Sequence, residues 1–317
     1  MGNPSDGYSG AVLAAALDGL HAEVSATPQR ALTLDGAGVT AMWPTVQAWL
    51  DHVDREGHGS EQRIISAALW ALVDHLRRTG LEAERLTGLG LRWHTAVPRS
   101  IGLAGSSALA VGAIDAASIA WGANLDRRVV AALALRAERD VLGIAAGWQD
   151  RIVQSMGGMV LVDTASMDDL DGVDVPVVTM VGLPHGVHLD LLVGWAAGTA
   201  TSSDDYHAPL RRHAVSLVAP MSELGAIARG AARAVERGDT IALAEAMDRT
   251  WTIRQACAPL RADHAELVEL VRSTGMHATT PGSGGSVVAP CLDERVTLAA
   301  IAALRGAGCG YRRCALA

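Results

Sequence analysis

Two different spacings of apolar residues run along the first third of the chain. From Gln62 to Arg78 the apolar residues recur three or four positions apart with polar residues between them, which predicts an amphipathic helix. From Gly88 to Thr95 they alternate with other residues, which predicts a short strand. The segment from Ser106 to Trp121 is dominated by Ala, Val and Ile without Pro, and this favours a buried helix. The predicted order is therefore strand, glycine-rich turn and buried helix.

Segments of both types continue through the rest of the chain. Helices are predicted at about 127–140, at 149–155 and almost throughout 214–272. Short apolar strands are predicted at 159–162, 187–193 and 287–289. Two glycine-rich loops, at 98–108 and 279–286, separate these elements. Strands and helices both occur, and the helices are grouped instead of alternating regularly with the strands. We therefore expect an α+β fold.

Composition limits the class of protein. The chain has 317 residues, of which 50% are hydrophobic and 19% charged, so it can bury a large core in one domain or two closely packed ones. Its net charge is −8 and its basic residues are scattered, which argues against a nucleic-acid partner. No apolar run reaches the roughly 18 residues of a membrane span, and the first residues lack the pattern of a signal peptide. We expect a soluble cytoplasmic protein without a membrane partner.

Two residue types narrow the possible chemistry. Every basic side chain is an arginine, so no lysine can serve in catalysis. The cysteines form no CxxC pair, and we therefore expect neither a zinc site nor a redox motif; they are Cys257, Cys291, Cys309 and Cys314.

The segment from Pro98 to Ala108 carries the clearest local signal. Its glycines allow close approach of the backbone to a ligand, and the helix that follows offers free N–H groups and the positive end of its dipole. These features suit a phosphate group. The segment is not a Walker loop, because that pattern requires a lysine. Taken by itself, a tight turn before a core helix is an alternative reading.

Two other segments are rich in polar and small residues. The first, from Asn3 to Tyr8, mixes hydrogen-bond donors and acceptors as a polyol ligand requires. Its Asn-Pro and Asp-Gly pairs also favour plain turns. The second is the loop from Thr279 to Ser286, whose glycines again permit close contact with a ligand.

Several motifs together resemble the GHMP kinases, the superfamily of galactokinase, homoserine kinase and mevalonate kinase. The segment Pro98–Ala108 is similar to the family's second signature, P-x-x-x-G-L-x-S-S-A, with one extra residue before the serine pair. Segments 2–10 and 281–285 are similar to the first and third signatures, in the family's order. Segments 2–10, 97–108 and 137–158 most resemble the glucuronokinase-like sugar kinases, which share the inserted Gly105.

The resemblance implies a fold of two fused α/β halves with the active site between them. Residues 1–165 would form the N-terminal ATP-binding domain and 166–317 the C-terminal domain. The ATP phosphates would be bound by Gly102, Leu103, Ala104, Gly105, Ser106, Ser107 and Ala108. The substrate would be bound by Asn3, Ser5, Asp6, Tyr8, Gly282, Ser283, Gly284 and Gly285.

The resemblance also assigns the residues that act on the phosphoryl group. Ser107 and Glu138 would hold Mg²⁺, which prefers hard oxygen ligands and keeps several waters. Asp150 would accept or orient the proton of the acceptor hydroxyl, and Arg151 would neutralise charge on the phosphoryl group. In isolation, Glu138 reads as a solvated helix residue, Asp150 as a helix N-terminal carboxylate and Arg151 as a surface ion-pair partner.

A loop and helix facing the active site are also implied at Ser202, Ser203, His207 and Arg211, where a simple helix cap is the alternative. The chain departs from the family in two places. It begins directly on the first motif, so we expect a missing N-terminal strand and a true start upstream of Met1. In the third motif, Pro281 stands where Thr is usual and Thr279 where Lys is common, which lowers the expected affinity for nucleotide.

The expected function is an ATP- and Mg²⁺-dependent kinase of a small sugar. Its acceptor would be the anomeric hydroxyl of an acidic sugar such as D-glucuronate, with Arg151, Arg211, Arg254 or a backbone nest recognising the carboxylate. Another sugar or a cyclitol, a non-catalytic ATP and sugar sensor, and a phosphorylation-coupled decarboxylase are the alternatives. The residues do not indicate an oligomeric state.

Overall fold

The computed structural model describes residues 1–60, 62–81, 86–99, 101–196, 217–257 and 260–315. Its strands are β1 (Ala11–Ala15), β2 (Ala22–Gln29), β3 (Leu32–Gly36), β4 (Val39–Trp43), β5 (Gly88–Thr95), β6 (Met159–Leu170), β7 (Val173–Val181), β8 (Asp190–Trp195), β9 (Ser286–Pro290) and β10 (Gly310–Ala315). Its helices are α1 (Val46–Glu56), α2 (Arg63–Arg78), α3 (Gly105–Ala120), α4 (Arg127–Arg136), α5 (Gln149–Met156), α6 (Val218–Glu236), α7 (Thr240–Cys257), α8 (Ala262–Arg272) and α9 (Glu294–Gly306).

The first sheet has the strand order β2-β5-β3-β4 and lies against α1, α2 and α3. Strand β5 is central, antiparallel to β2 and parallel to β3. The alternation seen in the sequence of β5 points Leu89, Leu91 and Trp93 into the core beneath these helices. Helix α3 buries one face among them, and the small residues on that face allow close packing of neighbouring elements. This core fixes the loop between β5 and α3, which is the glycine-rich segment.

Two three-stranded sheets form the rest of the molecule, with orders β1-β6-β7 and β10-β8-β9. Strand β1 comes immediately after the first motif and pairs with β6 from Ala11 to Ala15. One core joins Leu13 of β1 to Val193 of β8 and to Ile227 of α6, so the two sheets share buried residues. Another core packs α8 and α9 against the β9 face. The proposed division at residue 165 falls within β6 and stays a prediction.

The two periodic segments of the first third and the apolar helix that follows them were predicted well. The helix at 62–78, the strand at 88–95 and the helix at 106–121 correspond to α2, β5 and α3. The predicted helix at 127–140 ends as an α-helix at Arg136 and continues as a π-helical turn, Ala137–Val141. The predicted helical region 214–272 contains three helices, α6, α7 and α8.

Several strands were missed. Strands β1 to β4 lie in a segment that gave no prediction, although β2 alternates between half-buried and exposed residues over its first six positions. Strand β6 continues eight residues past the predicted end at 162, through an exposed acidic stretch that pairs with β7. Among the described residues, no helix combines the length and the apolarity needed to cross a bilayer.

The two glycine-rich loops contact each other through their backbones. Gly102 has φ +71°, and a Cβ atom there would overlap the carbonyl oxygen of Gly284. A Cβ on Gly285 would likewise press against the backbone of Ile101. Only residues without side chains allow this approach, so the glycines hold the loop of the first half against the loop of the second.

We expect Gly102→Ala to lower the free energy of unfolding by about 2–5 kcal/mol, since it adds a steric overlap to the cost of a positive φ. Gly122→Ala is the matched control, because Gly122 has φ +75° but open space around its Cβ position. That control should cost only about 1–2 kcal/mol. Urea unfolding followed by tryptophan fluorescence measures both values, and equal losses would show that the loop contact contributes nothing.

Candidate active site

A cleft of about 1260 Å³ opens where the loops of the two halves meet. Its walls come from the first motif, the glycine-rich loop before α3, the π-helical turn, the start of α5 and the loop before β9. Residues predicted to bind phosphate, metal or substrate and found in these walls are Asn3, Asp6, Tyr8, Gly102, Leu103, Ala104, Gly105, Ser106, Ser107, Glu138, Asp150, Arg151, Gly282 and Ser283. Segments separated by more than a hundred residues thus converge on one space.

The glycine-rich loop presents the N-terminus of α3 to the cleft. Ala104 adopts a left-handed conformation with φ 56°, and α3 starts at Gly105 without a side-chain cap. Ser107 and Gln154 both donate hydrogen bonds to the Ala104 carbonyl, at 2.9 Å each, and so hold the turn in place. The first N–H groups of a 16-residue helix therefore face a cleft, an arrangement that suits phosphate oxygens.

Glu138 lies in the π-helical turn and is only 2% exposed. One carboxylate oxygen, Oε1, accepts a hydrogen bond from the Ser106 hydroxyl at 2.8 Å. The other, Oε2, accepts from Nε of Arg151 at 2.7 Å and also from its Nη2. Glu138 is therefore not a solvated helix residue, and Arg151 is not a surface residue. They form a buried ion pair.

The two serines of the glycine-rich loop contact different groups, and Ser106, not Ser107, donates to Glu138. Ser106 contacts Glu138, while the hydroxyl of Ser107 is turned toward Ala104 and is buried. The placement of Ser107 and Glu138 as the Mg²⁺ ligands stays a prediction, and Ser106 joins them as a hydroxyl already beside the carboxylate. A carboxylate and a hydroxyl at hydrogen-bond distance fit the hard ligands that Mg²⁺ prefers.

Within the described ranges, no three His, Cys, Asp or Glu side chains gather closely enough to hold a metal ion by themselves. A Mg²⁺ ion at Glu138 would therefore depend on phosphate oxygens and water for its remaining ligands. Mg²⁺ commonly binds in this manner, through one or two protein groups together with the substrate phosphates.

Asp150 lies in the first turn of α5, and its side chain is 33% exposed, within the cleft. Burial raises the pKa of Asp150; the adjacent Arg151 guanidinium lowers it, and the negative charges of Asp6 and Glu138 raise it further. Arg151 also donates to the Gly147 carbonyl at 3.1 Å and to Asp150 at 3.4 Å. One cation thus faces three carboxylates at the floor of the cleft.

The first motif splits into cleft-facing and structural residues. Asn3 and Tyr8 line the cleft. Ser5 is fully buried, does not line it, and donates a hydrogen bond to the Ala11 carbonyl at 2.8 Å. Asp6 is 6% exposed and accepts hydrogen bonds from the backbone N–H groups of Trp148 and Gln149. Ser5 and Asp6, which were predicted to contact the substrate, thus already have hydrogen-bond partners within the protein.

The third motif is held from behind by side chains. Arg254, 0% exposed on α7, donates to the carbonyls of Thr280 and Gly282. Gln149 donates from Nε2 to the Pro281 carbonyl at 3.0 Å. Gly282 and Ser283 line the cleft, whereas Gly284 and Gly285 are buried against the other loop.

Three of these residues escaped the sequence reasoning. Ser106 was grouped with the phosphate loop, Gln149 received no role, and Arg254 was considered only as a carboxylate binder. The sole signal for Gln149 was its place beside Asp150 in the quoted motif. Nothing in the sequence pairs Arg254 with a loop 26 residues away. The candidates Ser202, Ser203, His207 and Arg211 lie outside the described residues.

Comparison with known proteins finds a family match over several of the segments that line the cleft. Residues 63–158, which run from α2 through the glycine-rich loop, Glu138 and Asp150 to the end of α5, match the family described as GHMP kinases N terminal domain. The expected resemblance to the GHMP kinases is confirmed. The chain is 26% identical over 302 residues to glucuronokinase 1 of Arabidopsis thaliana, covering 92% of this chain and 82% of the plant protein.

Solved structures share the fold of this chain at low sequence identity. Lactococcus lactis galactokinase, complexed with galactose, superimposes with a TM-score of 0.75 at 13% identity, covering 100% of this chain and 90% of the other. Mevalonate kinase from Methanococcus jannaschii gives 0.72 at 14% identity, covering 100% and 94%. The expected α+β GHMP kinase fold is confirmed.

We expect Arg151→Met to lower the free energy of unfolding by about 3–5 kcal/mol, because it leaves the buried Glu138 carboxylate without its cation. The control is Arg229→Met, which removes a bidentate pair with Asp163 whose side chains are 34% and 26% exposed, and it should cost less, about 1–2 kcal/mol. The double variant Glu138→Met/Arg151→Met should recover most of the loss, since it removes both charges. Urea denaturation provides all three values, and an Arg151→Met cost no larger than that of Arg229→Met would contradict this account.

Proposed function

We propose that this protein is a kinase of the GHMP type, which transfers the γ-phosphoryl group of ATP to the anomeric hydroxyl of an acidic sugar such as D-glucuronate, giving the sugar 1-phosphate and ADP. The match of residues 63–158 to the GHMP kinase N-terminal domain supports an ATP-dependent kinase with a hydroxyl acceptor, and the similarity to glucuronokinases supports a sugar. The particular sugar, the position of transfer and the use of Mg²⁺ are parts of the proposal.

One observation carries the proposal: an uncapped helix N-terminus, a buried carboxylate with an adjacent hydroxyl, and a second carboxylate line the same cleft. Phosphoryl transfer is catalysed mainly by positioning and by neutralising charge. The N–H groups at the start of α3 are suited to the nucleotide phosphates. Glu138, with Ser106 or Ser107, is suited to a Mg²⁺ ion, which when bound would neutralise charge on the transferring group.

Asp150 is the residue we place beside the acceptor hydroxyl. In its deprotonated form it can accept the hydroxyl proton as the oxygen attacks, or orient that hydroxyl toward the phosphoryl group. The ordered first turn of α5 keeps its carboxylate at the cleft floor. Arg151, although close, already donates to Glu138, Gly147 and Asp150, so its contribution is to hold these groups in position.

The third motif offers a way to recognise a carboxylate. Arg254 holds the Gly282 carbonyl from the protein interior. In a trans peptide, the next N–H points the opposite way, so the N–H of Ser283 is directed away from Arg254. Ser283 lines the cleft and adds a hydroxyl. Of the arginines considered for this task, Arg151 and Arg254 are engaged elsewhere, and these donors at Ser283 therefore support the backbone-nest alternative.

The direct test is ³¹P NMR of the protein with ATP and Mg²⁺ and a panel of D-glucuronate, neutral sugars and cyclitols. We expect a new sugar 1-phosphate resonance with D-glucuronate. Asp150→Asn should lower kcat by about 10²–10⁴-fold, because the amide cannot accept the proton. A signal with a neutral sugar or cyclitol alone would correct the acceptor class. Silence across the panel would reject the proposed reaction.

The pH dependence provides a second check. The active form of Asp150 is the deprotonated carboxylate, and its pKa is raised above 3.8 by burial. Activity should therefore be lost as the pH falls through this raised pKa, at a higher pH than for a solvent-exposed aspartate. The measurement is kcat/KM between about pH 4 and 8 with saturating Mg²⁺. An acid limb at the ordinary aspartate value would contradict the role of Asp150 as a base.

A further inference from the structure

Asp6 of the first motif makes specific contacts with a helix far away in the sequence. Its Oδ2 atom accepts hydrogen bonds from the N–H groups of Trp148, at 2.8 Å, and Gln149, at 3.1 Å. These are backbone groups at the N-terminus of α5, which the helix itself leaves without partners. A carboxylate at this end of a helix also interacts favourably with the helix dipole. Asp6 therefore caps α5 from a position more than 140 residues earlier in the chain.

The backbone around Asp6 is itself held rigidly. Thr164 of β6 donates its hydroxyl to the carbonyls of Asp6 and Gly10, both at 3.0 Å. Ser5 is tied to β1 through the Ala11 carbonyl. On the other side, a Cβ atom at Gly147 would lie 2.5 Å from Asp6 Oδ2, so a glycine is needed for the carboxylate to approach. The cap is thus fixed to the β1–β6 pair.

The turn of α5 that receives this cap carries two residues of the site. Asp150 directly follows the capped residues, and Gln149 extends its amide to the Pro281 carbonyl of the third motif. A shift of this turn would therefore move Asp150 and release one anchor of the third motif. A displacement of about 1 Å at a catalytic group can reduce the rate by about 10²-fold.

We propose that Asp6 is a positioning residue, which fixes Asp150 and Gln149 by capping α5 instead of binding the sugar. The inference rests on the proposed function, in which Asp150 acts on the acceptor hydroxyl. In this proposal Asp6, the acidic residue of the first motif, fixes the position of the Asp150 carboxylate. The remaining residues of that motif in the cleft wall, Asn3 and Tyr8, are left to contact the acceptor.

The experiment compares Asp6→Asn with Asp6→Ala. Asparagine keeps an oxygen that can accept both N–H groups and caps helices about as well as aspartate, whereas alanine cannot cap. We expect Asp6→Ala to lower kcat for D-glucuronate by about 10²-fold with KM changed by less than about 3-fold. Asp6→Asn should keep kcat within about 5-fold of the parent enzyme.

Asp293→Ala is the matched control, because Asp293 caps α9 through the Val296 N–H, and neither residue lines the cleft. It should lower Tm by about 2–4 °C and leave kcat unchanged. An Asp6→Asn variant as impaired as Asp6→Ala, or a KM rise of about 10-fold or more with kcat retained, would overturn the proposal in favour of direct sugar contact.

Hydrogen–deuterium exchange separates this proposal from the proposed function. Asp6→Ala should speed exchange in the segment 147–151, while Asp6→Asn and Asp293→Ala should not. If the parent protein phosphorylates nothing in the panel, the proposed reaction fails and the capping role is decided by exchange alone. Unchanged exchange in Asp6→Ala would overturn the proposal whether or not the enzyme is active.

Discussion

The buried ion pair of Glu138 and Arg151 is the interaction on which the arrangement of the cleft depends. A carboxylate at 2% exposure is costly unless a cation and hydrogen bonds compensate it, and Arg151 and Ser106 supply both. The pair joins the π-helical turn after α4 to the first turn of α5. Because it also meets the start of α3 through Ser106, three segments of the N-terminal half share one set of polar contacts.

Charge is distributed unevenly around this pair. Asp6, Glu138 and Asp150 lie near one arginine, and the helix N-termini supply further positive potential. The same cation that compensates Glu138 opposes the rise in the pKa of Asp150. The negative charge of Asp6 interacts with the N-terminus of α5. Glu138 and Asp150 therefore share one cation, whereas Asp6 interacts with a helix N-terminus, and of the three side chains that of Asp150 is the one partly exposed to the cleft.

The two halves of the site are held together mainly by backbone groups. Gly102 contacts Gly284 without side chains between them, while Gln149 and Arg254 hold successive carbonyls of the third motif. Arg254 thus supports the loop from behind, and its full burial removes it from the set of residues that meet a ligand directly.

The sequence by itself determined the periodic elements α2 and β5 and the apolar helix α3, and it located the three glycine-containing motifs. Local patterns suffice there, because helix and strand periods reflect which face each segment buries. Strands β1 to β4 were not predicted; β1 and β2 pair with strands distant in the chain, whereas β3 and β4 form a local hairpin that β5 joins to the sheet. The tertiary structure alone decided which serine meets Glu138, that Ser5 turns away from the cleft, and that Asp6 caps α5. These are contacts between residues up to about 140 positions apart, and their geometry depends on packing that no local pattern contains.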